Sequence, residues 1–190
     1  MTPIPDCPIH HPRINECAEL VLRHLVKLGI QPYEEGTGEG LLRYLQLTAT
    51  SELPGGRLGT AQSPEALVQL VLVWNAPRTG AGAPLRALVE SLWREGGGSL
   101  LHSIHANYQP ARTNTIFGPD WEVLRGPELA LQSLRPGIPP ASFAAGSFMQ
   151  ANLQSFQSAL LQLEGHIPRG SRVCDLHSGV GAIGLTLLAR

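Results

Sequence analysis

The sequence predicts an α/β protein in two parts: an α+β central domain over residues 1–140, then the first strand–turn–helix unit of a second, truncated domain over residues 141–190. Three observations predict it. Between residues 66 and 109, two apolar stretches of strand character flank a helical pattern, which is how a βαβ-like unit or a split equivalent reads. The stretch "SLRPGIPPASFAAGS" (Ser133–Ser147) breaks all periodicity with Pro and Gly. The stretch "DLHSGVGAIGL" (Asp175–Leu185) sets G-x-G-x-x-G between a strand pattern and a helix pattern.

The elements follow in order. "INECAELVLRHLVKLG" (Ile14–Gly29) places apolar residues at 14, 17, 18, 21, 22, 25 and 28, a helical stripe with Pro12 before it and Gly29 as its stop. "GTGEG" is a turn, and "LLRYLQLTATS" (Leu41–Ser51) alternates as a half-buried strand does. "LPGGRLGTAQSPEA" is an exposed loop, and "ALVQLVLVWNAP" (Ala66–Pro77) is a strand buried on both faces. After "RTGAGAP" a helix starts at Pro84 and stops at Gly96, and "SLLHSIHANYQ" is a third strand. "NTIFGPDWEVLRGP" reads as a short hairpin around "GPD". Beyond the Pro/Gly stretch, "SFMQANLQSFQSALLQLEGHI" is an amphipathic helix, "SRVCDL" a strand that buries Cys174, and "GAIGLTLLA" a helix.

Composition narrows the function classes. Of 190 residues, 43% are hydrophobic and 15% charged, enough apolar side chain for a packed core. A net charge of −1 argues against a strong nonspecific grip on nucleic acid, while leaving room for a shaped pocket that takes a few nucleotides. Three cysteines, Cys7, Cys17 and Cys174, are too scattered for a disulfide framework, so a reducing, intracellular compartment is expected, cytoplasmic or organellar. No apolar run has the length of about 20 residues that crosses a bilayer, so no membrane partner is expected. Cys7, His10, His11 and Cys17 form a loose C-x2-H-H-x5-C grouping that fits no standard zinc spacing, and no metal is expected.

A glycine-rich turn between a strand and a helix is the nucleotide-binding corner of a Rossmann-like sheet. Its glycines allow positive φ and close approach of a ligand, and the helix N–H groups face that ligand. Two ligand classes compete. A dinucleotide lays its pyrophosphate over the turn, where Asp175 would repel it. S-adenosylmethionine has no phosphate and carries a sulfonium and an ammonium, which an acid at this place suits. Asp175 therefore favours the methyl donor, although it could also cap the turn by accepting backbone N–H bonds.

At these residues the chain resembles the RNA (uracil-5-)methyltransferases, the tRNA and 23S rRNA enzymes that make 5-methyluridine. The matching segments are "FMQAN" with "DLHSGVG" downstream, and "CPIHHPRIN", "GTGEGLLRYL", "SIHANYQPARTNTIFG" and "WEVLRG" upstream. The resemblance implies a SAM-dependent methyltransferase domain from residue 141 and S-adenosyl-L-methionine as cofactor. It implies cofactor contacts from Gln150, Asp175, His177, Gly179, Gly181 and Ala182. Ser178 stands where relatives carry Cys, and Ala182 where they often carry Asn or Thr, so a weaker hold on the cofactor is expected.

The resemblance also implies the chemistry. A cysteine thiolate adds to C6 of uracil, C5 becomes nucleophilic, and a carboxylate base then removes the C5 proton. In the family those groups follow a "DPPR" segment that this sequence lacks, so the nucleophile and base are expected beyond the C-terminus and the chain alone is expected to be inactive. The partner implied is an rRNA or tRNA loop, bound by a monomer. Surface candidates for RNA contact are Arg43, Tyr44, Tyr108, Arg112 and Asn114. The alternatives are an NAD(P)-dependent oxidoreductase and a non-catalytic RNA-binding module.

Overall fold

The computed structural model describes residues 6–188 except Ala61 and Pro136. Helix α1 spans Pro12–Leu28. The His11 side chain accepts from the Arg13 N–H at its start, and Gly29 ends it in the left-handed region, its N–H reaching the carbonyls of Leu25 and Val26. Strand β1 is Leu42–Ala49, and the two-residue strands β2 (Glu52–Leu53) and β3 (Arg57–Leu58) pair within the loop that follows. Strand β4 (Val68–Trp74), helix α2 (Gly82–Gly96) and strand β5 (Leu101–Tyr108) come next. Because β4 and β5 are parallel and adjacent, with α2 as the crossover, the βαβ expectation holds. Strand β6 (Asp120–Arg125) returns antiparallel to β5, and the sheet order is β1-β4-β5-β6.

The sheet has two different faces. Leu70, Leu72 and Trp74 of β4 point to α1 and α2, where they meet Val21, Leu88 and Leu92 in the main core. Full burial of one such side chain contributes about 1.5–3 kcal/mol, so this layer holds the domain together. On the opposite face, Val71 and Val73 pack with Ala145, Phe117 and Trp121.

The structure corrects several expectations. The hairpin expected around "GPD" is a single strand. Residues before it form a loop pinned by Asn107, whose amide donates to the Gly118 carbonyl and whose carbonyl accepts from the Gly118 N–H. A Cβ at Gly118 would sit 1.9 Å from the Tyr108 carbonyl oxygen, so the loop closes only with glycine there. The Pro/Gly stretch contains strand β8 (Ala141–Ala144), which pairs antiparallel with β7 (Leu129–Gln132) across the division expected at residue 140. Helix α3 is Leu153–His166, shorter than expected, because the Asn152 side chain accepts from Ser155 N–H and caps it after "FMQA". Residues 171–176 form no strand among the described residues, and Cys174 is exposed rather than buried, because no neighbouring strand supplies a ladder. Helix α4 is Ala182–Leu188, and the remainder of the expected helix, Ala189, lies outside the described residues.

Candidate functional site

The glycine turn links the unpaired segment 171–176 to α4. His177, Gly179 and Gly181 all adopt positive φ, at 61°, 57° and 77°, and the Gly181 N–H closes the turn on the Ser178 carbonyl. His177 is the sole non-glycine residue at positive φ among the described residues, a conformation that costs most side chains roughly 1–2 kcal/mol. A Cβ on Gly179 or Gly181 would meet nothing within 4 Å, so these glycines serve the turn's path and leave its outer side open. Asp175 is half-buried, and its Oδ2 is buried with no hydrogen-bond partner. An orphaned carboxylate oxygen favours a donor or a cation arriving from outside the chain. Ala182 is 9% exposed and packs with Leu134, Ala141, Phe156 and Val180, so its methyl belongs to a small core under the turn.

Gln150 lies elsewhere. It is exposed on the segment that precedes α3, where it lines a cleft of about 1270 Å³ whose floor includes Tyr44, Gln46 and Thr48 of β1. None of residues 175–182 lines that cleft. Five of the six expected cofactor residues are thus neighbours in the turn, and Gln150 lines the cleft. Gln46 and Thr48, which line the same cleft, are not among the residues expected from the sequence. The signal was present in "YLQLTA", where Tyr44, Gln46 and Thr48 alternate with Leu45 and Leu47 and so share one face of the strand.

The RNA candidates divide sharply. The Arg43 side chain is fully buried, and its Nη1 donates to the carbonyls of Gln109 and Ala111 at 2.8 and 2.7 Å. Its guanidinium sits 4.4 Å from the Tyr33 ring centroid. Tyr108 is buried and donates to Glu122 Oε2 at 2.6 Å; burial first, then that carboxylate, pushes its phenol pKa upward. Arg112 is exposed but donates to the Gly36 carbonyl at 3.0 Å. Arg43 thus ties down the loop between β5 and β6, Tyr108 ties β5 to β6, and neither is a surface contact, because the Arg43 Nη1 and the Tyr108 hydroxyl have each found a partner within the fold. Tyr44 and Asn114 remain exposed.

The cysteines do not meet. Cys17 faces the core, its thiol pushed up to about 12 by burial, while Cys7 is half-buried. Among the described residues no three His, Cys, Asp or Glu side chains form a group that could hold a metal, and no helix is long and apolar enough to cross a membrane.

A four-stranded mixed sheet backed by two helices, followed by a glycine-rich turn that opens a further helix, defines an α/β protein. Over nearly all of its length the chain is similar to uncharacterized RNA methyltransferases. It is 32% identical over 189 residues to one from Protochlamydia amoebophila, covering 98% of this chain and 46% of the relative. It is 30% identical over 186 residues to one from Listeria monocytogenes, covering 95% of this chain and 36% of that relative. The similarity to these RNA methyltransferases runs through nearly the whole of this chain, which spans less than half the length of either. No family model matches it. Among solved structures it is similar in fold to the Pyrococcus abyssi tRNA (uracil-54, C5)-methyltransferase in complex with S-adenosyl-L-homocysteine. The TM-score is 0.71 at 18% identity, over 98% of this chain and 40% of that one.

Proposed function

We propose that the whole protein transfers a methyl group from S-adenosylmethionine to C5 of a uridine in an rRNA or tRNA loop, and that residues 141–190 carry part of the cofactor site. The observation that carries this reading is Asp175, with one buried carboxylate oxygen unpaired beside a turn open on its outer side. That site fits a ligand with cationic groups and no phosphate. Asp175 would hold an ammonium or hydroxyl donor of the ligand, His177 would flank it, and Gly179 and Gly181 would let it approach the backbone. When bound, the cofactor supplies the methyl group.

On this reading the uracil is activated by a cysteine thiolate at C6, and a base takes the C5 proton. Neither role falls to a described cysteine of this chain. Cys17 is buried and held as a thiol by that burial, and Cys174 lies on the segment that leads into the glycine turn, where the cofactor rather than the uracil is placed. The 190-residue chain is accordingly expected to give no turnover by itself. The names of the relatives support an RNA substrate over the nicotinamide-dependent alternative. Deleting the gene and measuring nucleosides of purified rRNA and tRNA by mass spectrometry tests the reading. Loss of 5-methyluridine from one RNA is expected; an unchanged 5-methyluridine content in every RNA overturns it.

A further inference from the structure

We propose that Arg135 is a positioning residue for methyl transfer: paired with Glu164, it fixes α3 and α4, and with them the glycine turn, against the β7–β8 ladder. This rests on the reading that the turn holds S-adenosylmethionine. Arg135 lies in the loop between β7 and β8, and Glu164 in the last turn of α3. Arg135 Nη2 donates to Glu164 Oε1, and the two side chains are 24% and 12% exposed. Among the described residues this is the only ion pair that joins residues 1–147 to residues 148–188. Arg135 Nε is buried with no partner, so most of the guanidinium has left water and Glu164 balances its charge.

The turn has few other anchors. On the way in, residues 171–176 form no strand among the described residues. On the way out, Val180 and Ala182 pack with Leu134, Ala141 and Phe156. Apolar contact has no direction, and Ala141 and Ala182 offer single methyls, so this small core holds α3 and α4 close without fixing their register. A guanidinium–carboxylate bond does have direction. Set one residue after Leu134, it stops α3 from sliding along its own axis. The ladder behind it is firm. Leu131 N–H donates to Glu52 Oε2, its carbonyl accepts from Ser51 N–H, and Gln132 Nε2 and Ser133 N–H both donate to Ser51 Oγ. The cofactor residues from Asp175 to Ala182 travel with the turn. Loosening the Arg135 joint therefore leaves their contacts whole and displaces the methyl group relative to the uracil.

Two measurements test this. In the 190-residue chain, spin labels are placed at Arg86→Cys on α2 and Leu185→Cys on α4, with Cys7 and Cys174 changed to Ser. Their distance distribution, read by pulsed electron paramagnetic resonance, is expected to be narrow with Arg135 present and to broaden or shift with Arg135→Met. Tryptophan fluorescence checks that the sheet stays folded, since Trp74, Trp93 and Trp121 lie on β4, α2 and β6. In the purified whole protein, Arg135→Met should lower kcat about 100-fold, the loss that a misplacement of about 1 Å brings, while KM for S-adenosylmethionine stays within about 2-fold. Glu164→Gln, which leaves a neutral acceptor, should lose less and carries the same measurements if Arg135→Met fails to fold. The double variant should lose no more than Arg135→Met alone, because the two side chains act through one bond. An unchanged distance distribution, a KM that rises as kcat falls, or additive losses would each overturn the role of Arg135. A wild-type protein that forms no 5-methyluridine sinks the methylation reading instead, and the distance distributions still decide the role of Arg135.

Discussion

Arg43 shows how one side chain can look functional in a sequence and prove structural in a fold. In "LLRYL" it reads as an exposed cation next to an aromatic, a common RNA-contacting pair. The irregular register between Leu42 and Tyr44 turns it inward instead, where it ties the carbonyls of Gln109 and Ala111 to β1. No local pattern announces this, because the partners lie 66 and 68 residues away. Tyr108 is misread for the same reason, since its partner Glu122 sits on the next strand. Arg43→Met should destabilise the chain by about 2–4 kcal/mol, since two buried carbonyls lose their donor. Arg43→Lys should recover only part of this, because an ammonium cannot reproduce the planar fork. Urea unfolding followed by tryptophan fluorescence checks both; wild-type stability of the Met variant would contradict the role.

Elements whose information is local were legible. The stripe of α1, its Pro12 start and Gly29 stop, and the apolar run of β4 all follow from spacing and caps. Elements that exist only through a partner were not. Strands β7 and β8 are four residues each, and β8 is hidden in a Pro/Gly stretch, so only their mutual ladder defines them. The opposite error occurred at 171–176, where strand-like residues find no ladder. A buried clasp joins β5 to β2 and β7. His102 Nε2 lies 2.8 Å from Glu52 Oε2, that carboxylate accepts from the Leu131 N–H, and Ser103 Oγ lies 3.0 Å from ring nitrogens of both His102 and His105. Burial lowers the pKa of both histidines, His105 to about 4, with His102 adding repulsion to His105 and Glu52 partly offsetting the shift of His102. A folded-state pKa below the unfolded value means that unfolding takes up protons. The clasp's contribution is therefore complete above the unfolded pKa of about 6.5 and is lost as pH falls towards 4. The urea midpoint should drop between pH 7 and pH 5, and His105→Gln should flatten that dependence; parallel curves for the two proteins would contradict it.

At the scale of the whole molecule, the main core is drawn from residues 17–108, and the division expected at residue 140 cuts between two paired strands. A fragment ending at Ser147 keeps the β7–β8 ladder and the Ala145 contact with Val71 and Val73. It should unfold cooperatively with a midpoint close to that of the full chain, whereas one ending at Ser133 should be clearly less stable. Circular dichroism melts of the two fragments decide this, and equal midpoints would show that the ladder adds nothing. The site was legible only where it is a continuous motif: the turn from Asp175 to Ala182 was read directly, while the cleft assembles β1, the N-terminal histidines and the segment before α3 from distant stretches of chain. Segment 172–176 has another consequence, for handling the purified chain. Among the described residues its peptide groups make no backbone hydrogen bonds, and Val173 and Leu176 are 50% and 79% exposed, so unpaired peptide groups and apolar side chains face solvent together. Loss of material at high concentration is therefore expected to trace to these few residues rather than to the strength of the core.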